Sequence, residues 1–230
     1  MNRIKQQQGF TLIEIAIVLV IIGLLLGGVL KGQELITSAR VRNLISTQDG
    51  VKAAYFGFLD RFRALPGDYA QASTNISCAP ACSNGNNNGQ IELNATPVSG
   101  SVVNENILVW EHLSKAGFIN GSYTYAVAPE STNSGLANPY SRYMQLSYDS
   151  TYEGTATTRH NLKTGNQIPS DILAEVDRKV DDGKATTGTF RASGYGGQTG
   201  VAAITIASCY SGTDWIVTSP VTNCGAASLF

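Results

Sequence analysis

The sequence predicts an α+β protein: a long N-terminal α-helix, transmembrane in its first half, packed on a C-terminal antiparallel β-sheet head with short extra helices. Three observations lead there. An unbroken apolar run, FTLIEIAIVLVIIGLLLGGVL, occupies positions 10 to 30. A stretch whose apolar residues recur at steps of three and four follows it directly. Beyond position 65 the texture changes to short strand-like runs punctuated by Gly, Asn, Ser and Pro.

As a helix rising about 1.5 Å per residue, the apolar run reaches roughly 30 Å, the thickness of a bilayer core. It contains one charged residue, Glu14, and follows a short polar stretch, MNRIKQQQG, that carries Arg3 and Lys5. A secretory signal would place its small cleavage residue after the apolar core. Here Gly9 precedes the core, so a cut there leaves the hydrophobic helix on the mature chain. A carboxylate in an apolar helix is costly and usually has a partner. Glu14 either lies close enough to the interface to stay wet or pairs with a cation. Cleavage after Gly9 would create that cation, the amine of Phe10, about one helical turn away. Gly23 with Gly27, and Gly28 with Gly32, are spaced as small-xxx-small pairs that permit close helix approach. The glycine tolerance of membrane helices gives the same pattern, and local melting at about 1 kcal/mol per Gly relative to Ala is a third use. Lys31, Arg40 and Arg42 follow the span, so charge bias leaves its orientation open.

Over positions 33 to 62 the apolar residues Leu35, Ile36, Val41, Leu44, Ile45, Val51, Ala54, Tyr55, Phe58, Leu59 and Phe62 mark one helical face. No turn signal stands near 33, so one helix from about 10 to 62 is expected. Leu65-Pro66-Gly67-Asp68 is its expected stop.

The head from 65 to 230 is expected to hold short helices at 104–117, with Asn104 as N-cap and Gly117 as stop, and at 170–180. Strands are expected at 122–128, 142–148, 187–192, 201–207 and 214–218, those after 183 forming an antiparallel meander. Asn84, Asn86 and Asn88, followed by Gly89 and Ile91, echo a calcium loop. The ligands there are neutral amides, however, and Ala95 stands where the closing acid belongs, so a turn-forming polar loop is the expectation and no metal is assigned. The four cysteines, Cys78, Cys82, Cys209 and Cys224, allow three connectivities. Their spacing does not suit a four-cysteine zinc site. Two local disulfides are expected if this part of the chain sits in an oxidising compartment.

The segment Gly9-Phe10-Thr11-Leu12-Ile13-Glu14, after a short basic leader and before an unbroken apolar helix, resembles the class III signal of type IV prepilins and pseudopilins. The direct likeness covers about positions 3 to 30, and the long-helix pattern extends it to about 62. The resemblance implies a leader at 1–9 and a transmembrane, filament-core helix at 10–32. An amphipathic continuation at 33–64 and a globular head at 65–230 would follow. It implies cleavage between Gly9 and Phe10 by a prepilin peptidase, N-methylation of Phe10, and a role for Glu14 in registering each subunit against the Phe10 amine of a neighbour. It also implies identical or related pilin subunits and an inner-membrane assembly platform as partners. The head would be periplasmic before assembly and lie on the cell surface or in a periplasmic pseudopilus afterwards. Many relatives bend this helix with a proline near the end of the apolar tract, where this sequence has Lys31. The Cys209–Cys224 interval is similar to the C-terminal disulfide-bounded region of type IVa pilins.

Apolar residues make up 43% of the chain and charged residues 14%, a texture of uncharged polar residues that suits extracytoplasmic loops better than a helical cytosolic enzyme. The net charge of −1 becomes −3 once Arg3 and Lys5 are removed (14 against 17), so no nucleic-acid partner is expected. No enzyme is expected either. His112 and His160 read as surface or helix-face residues, and no nucleophile elbow or P-loop occurs. Gly194-Tyr195-Gly196-Gly197-Gln198-Thr199-Gly200 reads as a turn before a strand. The acids Glu175, Asp177, Asp181 and Asp182 read as a solvated helix end. No cofactor is expected. The rival roles are a pilus subunit, a pseudopilin of a type II secretion system, and a minor tip pilin acting in adhesion or DNA uptake.

Overall fold

The computed structural model describes residues 11–79, 81–97, 100–127, 130–200 and 202–230. The chain divides into two units, one ending at Arg40 and one spanning Val41–Phe230. Helix α1 runs from Leu12 to Phe62. In its portion up to Arg40, nearly every described side chain is exposed. From Val41 onward a helical stripe is buried: Val41, Leu44, Gln48, Val51, Ala54, Tyr55 and Phe58. The steps of three and four explain the stripe, since they return to the same helix face at each turn. α1 stops at Phe62, ahead of the proline, and Arg63 takes the left-handed conformation (φ 55°).

Within the second unit the buried stripe serves two cores. Val51, Ala54, Tyr55 and Phe58 pack with Ile91, Trp110, Leu113, Met144, Leu146 and Leu162. Val41 and Leu44 pack with Ile172, Leu173, Val176, Phe190, Trp215 and the Cys209–Cys224 pair. Three shorter helices follow α1: α2 at Ala72–Asn75, α3 at Glu105–Lys115 and α4 at Ser170–Val180. Asn104 does occupy the N-cap position of α3, but its side chain does not cap. It accepts from the Asn94 N–H and donates to the Val127 carbonyl. At the other end Gly117 is left-handed (φ 82°), Phe118 N–H reaches the Leu113 carbonyl and Gly117 N–H the Ser114 carbonyl, closing a Schellman stop.

A four-stranded antiparallel sheet has the order β1 (Gln145–Asp149), β2 (Arg159–Lys163), β6 (Ala226–Leu229), β3 (Phe190–Ala192). A separate hairpin pairs β4 (Tyr210–Ser211) with β5 (Asp214–Trp215). The α+β layout is the expected one, but several strand positions are corrected. Residues 122–127 form no strand, and Ala128 lies outside the described residues. Their N–H groups go elsewhere: Tyr123 to Ser114 Oγ, Tyr125 to Glu111 Oε1 and Thr124 to the Asn133 carbonyl. Residues 202–205 form no strand either. The Thr205 carbonyl turns back to Ser208 at a short 3₁₀ turn, Ile206–Ser208. The strands expected over 187–192 and 214–218 shrink to three and two residues. The stretch after 183 is not a simple meander, because β6 lies between β2 and β3.

Candidate functional site

The N-terminal helix opens on a reciprocal cap. Glu14 Oε2 accepts from the Thr11 N–H and the Thr11 hydroxyl, both at 2.8 Å, and the Glu14 N–H reaches Thr11 Oγ1 at 3.3 Å. Thr11 therefore sits at the N-cap and Glu14 three residues on, the spacing of a capping box. The two side chains satisfy helix-end donors that the helix itself leaves open. Gly9 and Phe10 lie outside the described residues. Beyond the cap, Leu12 through Leu30 form an apolar surface that no other described residues cover, and the most apolar window of α1 is wholly unburied. A Cβ built on Gly23, Gly27, Gly28 or Gly32 meets nothing within 4 Å, so these four positions leave flat ground on an open helix.

In the head, the loop read as an echo of a calcium site is organised by carboxylates that accept backbone N–H groups. Asp68 Oδ1 takes the Asn88 N–H at 2.9 Å and Oδ2 the Gly89 N–H at 2.8 Å. Glu105 Oε1 takes the Asn86 N–H at 2.9 Å, and Glu92 Oε1 takes the side-chain amides of Asn86 and Asn88. Asn86 and Asn88 thus donate amide hydrogens to Glu92, while the side-chain oxygens of Asn84, Asn86 and Asn88 accept from the Ser73, Asn88 and Gln90 N–H groups. Asp68 and Glu105 are both buried. Burial, reinforced by the nearby Asp68 and Glu92 charges, pushes the Glu105 carboxyl up to about 7. His112, expected at the surface or on a helix face, lies on α3 and is fully buried. Its Nδ1 accepts from the Gly67 N–H at 2.9 Å and its Nε2 pairs with the Ser83 carbonyl at 2.9 Å. Burial holds its pKa down, at about 4, so the ring is neutral and ties the Pro66-Gly67 turn to the loop. His160 is half-buried and stacks at a tilt against Tyr148.

The acidic run also differs from the expected solvated helix end. Asp177 is buried, accepts from Trp215 Nε1 at 2.7 Å and from the Gly183 N–H at 3.2 Å, and burial raises its carboxyl to about 6. Asp181 accepts from the Thr189 and Phe190 N–H groups, and Asp182 from Thr187 and Lys184. The ligand atoms of Asp177, Asp181 and Asp182 lie within 4.8 Å of one another. Their hydrogen bonds close the turn between α4 and β3. Glu175 instead pairs with Lys179 on the exposed face of α4. Cys78 is joined to Cys82, and Cys209 to Cys224, with Cα atoms 5.4 and 5.9 Å apart.

A family model, the prokaryotic N-terminal methylation motif, matches residues 4–30. The chain carries the class III signal of type IV pilins and pseudopilins. The class III match ends at Leu30 and leaves the head uncovered. No curated protein and no solved structure matches the chain. The matched signal belongs to structural, pilin-type subunits and not to an enzyme class. Of the residues bearing on that signal, Glu14 and the four glycines lie together on the exposed portion of α1, whereas the cysteines are all in the second unit. Sequence reasoning missed the capping role of Thr11, although Thr three residues before Glu at a helix start is a readable signal. It also missed the anchoring acids Asp68 and Glu105, which no local spacing connects.

Proposed function

We propose that this chain is a structural subunit of a type IV pilus-like filament. Prepilin peptidase cuts it between Gly9 and Phe10 and methylates the new Phe10 amine. The processed chain stands in the inner membrane with its head periplasmic, and an assembly platform there passes it into a filament through the N-terminal helix. The methylation motif at residues 4–30, leading into an apolar helix without protein cover, carries this reading. A helix of this kind needs lipid or other apolar helices around it, since water does neither. Related pilin subunits supply such helices, and the open glycine positions let them approach closely. In the free chain Glu14 is held by Thr11. In the filament its carboxylate registers against the Phe10 amine of a neighbour, where two opposite charges desolvate together.

Intact-mass and N-terminal analysis of the membrane-expressed protein, with electron microscopy of sheared surface material, tests the proposal. A chain beginning at N-methyl-Phe10 and abundant in sheared filaments is the expected result. The same processed chain confined to the envelope would instead mark a pseudopilin or a rare minor subunit. A chain still beginning at Met1 beside an active prepilin peptidase would overturn the reading. Glu14→Ala is expected to be cleaved normally and to assemble poorly; a normal filament yield would remove the registry role.

A further inference from the structure

The glycine-rich stretch Gly194–Gly200 does not lead into a strand. It forms one wall of a cavity of about 530 Å³ in the head. Glu130, fully buried, fixes that wall from behind. It accepts from the Thr199 N–H, the Thr199 hydroxyl and the Tyr195 hydroxyl, and its carbonyl takes the Gln198 side-chain amide. A loop this rich in glycine would otherwise have many conformations. Four hydrogen bonds to one residue preform the cavity, and its volume falls in the range of small-molecule sites, about 300–1,000 Å³.

The floor carries two opposite charges that are already used up. Lys163, 2% exposed, spends its three N–H donors on Gln145 Oε1 at 3.2 Å, Ser147 Oγ at 3.0 Å and Asp149 Oδ2. Asp149 also accepts from the Ser147 and Thr151 hydroxyls, the Thr151 N–H and the Asn161 amide. An anionic ligand would find no free cation on this floor and would meet Asp149 and, at the edge, Glu153. A cationic ligand would lose its water against an aspartate already saturated with donors and a Glu153 carboxylate already held by the Tyr210 hydroxyl at 2.7 Å. The remaining lining combines the apolar surfaces of Ala203, Ile204 and Ile206 with the Tyr152 and Tyr195 side chains, the Ser150 and Thr151 hydroxyls and the Gln198 carboxamide. The Tyr195, Tyr152 and Thr151 hydroxyls and the Gln198 side-chain N–H already donate to protein acceptors, so these groups offer a ligand acceptor oxygens, which beside the apolar surfaces suit a pyranose with its C–H faces and belt of donating hydroxyls. We propose that this cavity binds an uncharged saccharide of one or two rings, a function that stands independently of filament assembly.

The test uses the full chain in lipid nanodiscs, titrated with galactose, N-acetylglucosamine, lactose and cellobiose and followed by saturation-transfer NMR. Glucuronate, glucosamine and N-acetylglycinamide serve as anionic, cationic and peptide-like counterparts. At least one uncharged sugar is expected to bind saturably in the millimolar range or tighter, ahead of all three counterparts. Ala203→Arg, a substitution at an exposed wall position, should weaken that binding by about tenfold or more with the near-ultraviolet circular dichroism unchanged. Val217→Arg, beside a different cavity next to α4, should leave it intact. If Ala203→Arg perturbs the fold, Ser150→Trp blocks the cavity from another side and is read in the same way. The proposal is overturned if no uncharged sugar binds, if a charged or peptide-like counterpart binds as well, or if the folded blocking variant binds like the parent.

Discussion

Glu105 is held in place by the same burial that makes it hard to ionise. It accepts backbone N–H groups from Asn86 and Glu92 while Asp68 and Glu92 crowd it with like charge. Its carboxyl is pushed up to about 7 in the folded head, from an ordinary value near 4.5. A raised carboxyl pKa means that the folded state holds the proton more tightly. The stability it contributes is full below about 4.5 and is lost as the pH rises through about 7. His112 works in the opposite sense, since its depressed pKa of about 4 makes stability rise with pH between about 4 and 6.5. Glu105→Gln should therefore gain stability relative to the parent as the pH is raised from 4.5 to 7.5, measured by urea denaturation at each pH. A parent–variant difference that stays constant over that range would show that Glu105 does not titrate there. Gly67 belongs to the same arrangement. It is left-handed (φ 88°), and a Cβ there would sit 2.6 Å from the Glu105 carbonyl, so the turn that delivers Asp68 to the loop requires glycine.

At the scale of elements, the β4–β5 hairpin and the segment after it are tied to the body of the head at several points, among them Lys184 paired with Asp214 and the Ala185 N–H on the Thr213 carbonyl. The Trp215 indole donates to Asp177 on α4, the Ser170 hydroxyl bonds the Ile216 carbonyl and the Val221 N–H, and Cys209 is joined to the fully buried Cys224. Between those ties the chain is mostly exposed from Val217 to Asn223. Replacing both Cys209 and Cys224 by Ser should cost about 3 kcal/mol in the chain-entropy view, read as a lower urea midpoint of the full chain. An unchanged midpoint would mean that the remaining ties, Trp215 and Ser170 among them, hold the segment without the disulfide. Helices were the most legible elements in the sequence, because the second half of α1 and the 11 residues of α4 show the 3.6-residue period. β2 and β6 were not legible. RHNLK carries too many polar and charged residues to look like a buried strand, and AASL too few large ones. Lys163 is tolerated inside only because Gln145, Ser147 and Asp149 meet it from β1, a pairing visible only after the strands are aligned. The segment 122–127 misled in the other direction: its composition suits a strand, but side chains of α3 take its N–H groups.

For the whole molecule, the dominant physical fact is the uncovered apolar surface of α1 from Leu12 to Leu30, where even the best-shielded large side chains remain about half exposed. That surface cannot be left in water, so the full chain should partition with membranes and resist alkaline carbonate extraction, following detergent into solution. Release by carbonate would mean that other protein covers the helix. The signal at the N-terminus was legible because its chemistry is local: basic stretch, small residue, acid and apolar tract follow one another in the chain. The sites in the head were not, because Asp68 with Glu105, Glu130 with Thr199, and Asp177 with Trp215 meet only through the fold.

The Cys209–Cys224 link also has a mechanical consequence. A head stretched until it unravels releases its chain, but the 15-residue interval between these cysteines stays locked at a Cα separation of 5.9 Å. At roughly 3.4 Å per extended residue, the oxidised chain is shorter at full extension than the reduced one by about 45 Å. A subunit pulled under tension would therefore yield less slack, and the exposed residues 217–223 would keep their compact loop after the sheet around them had come apart.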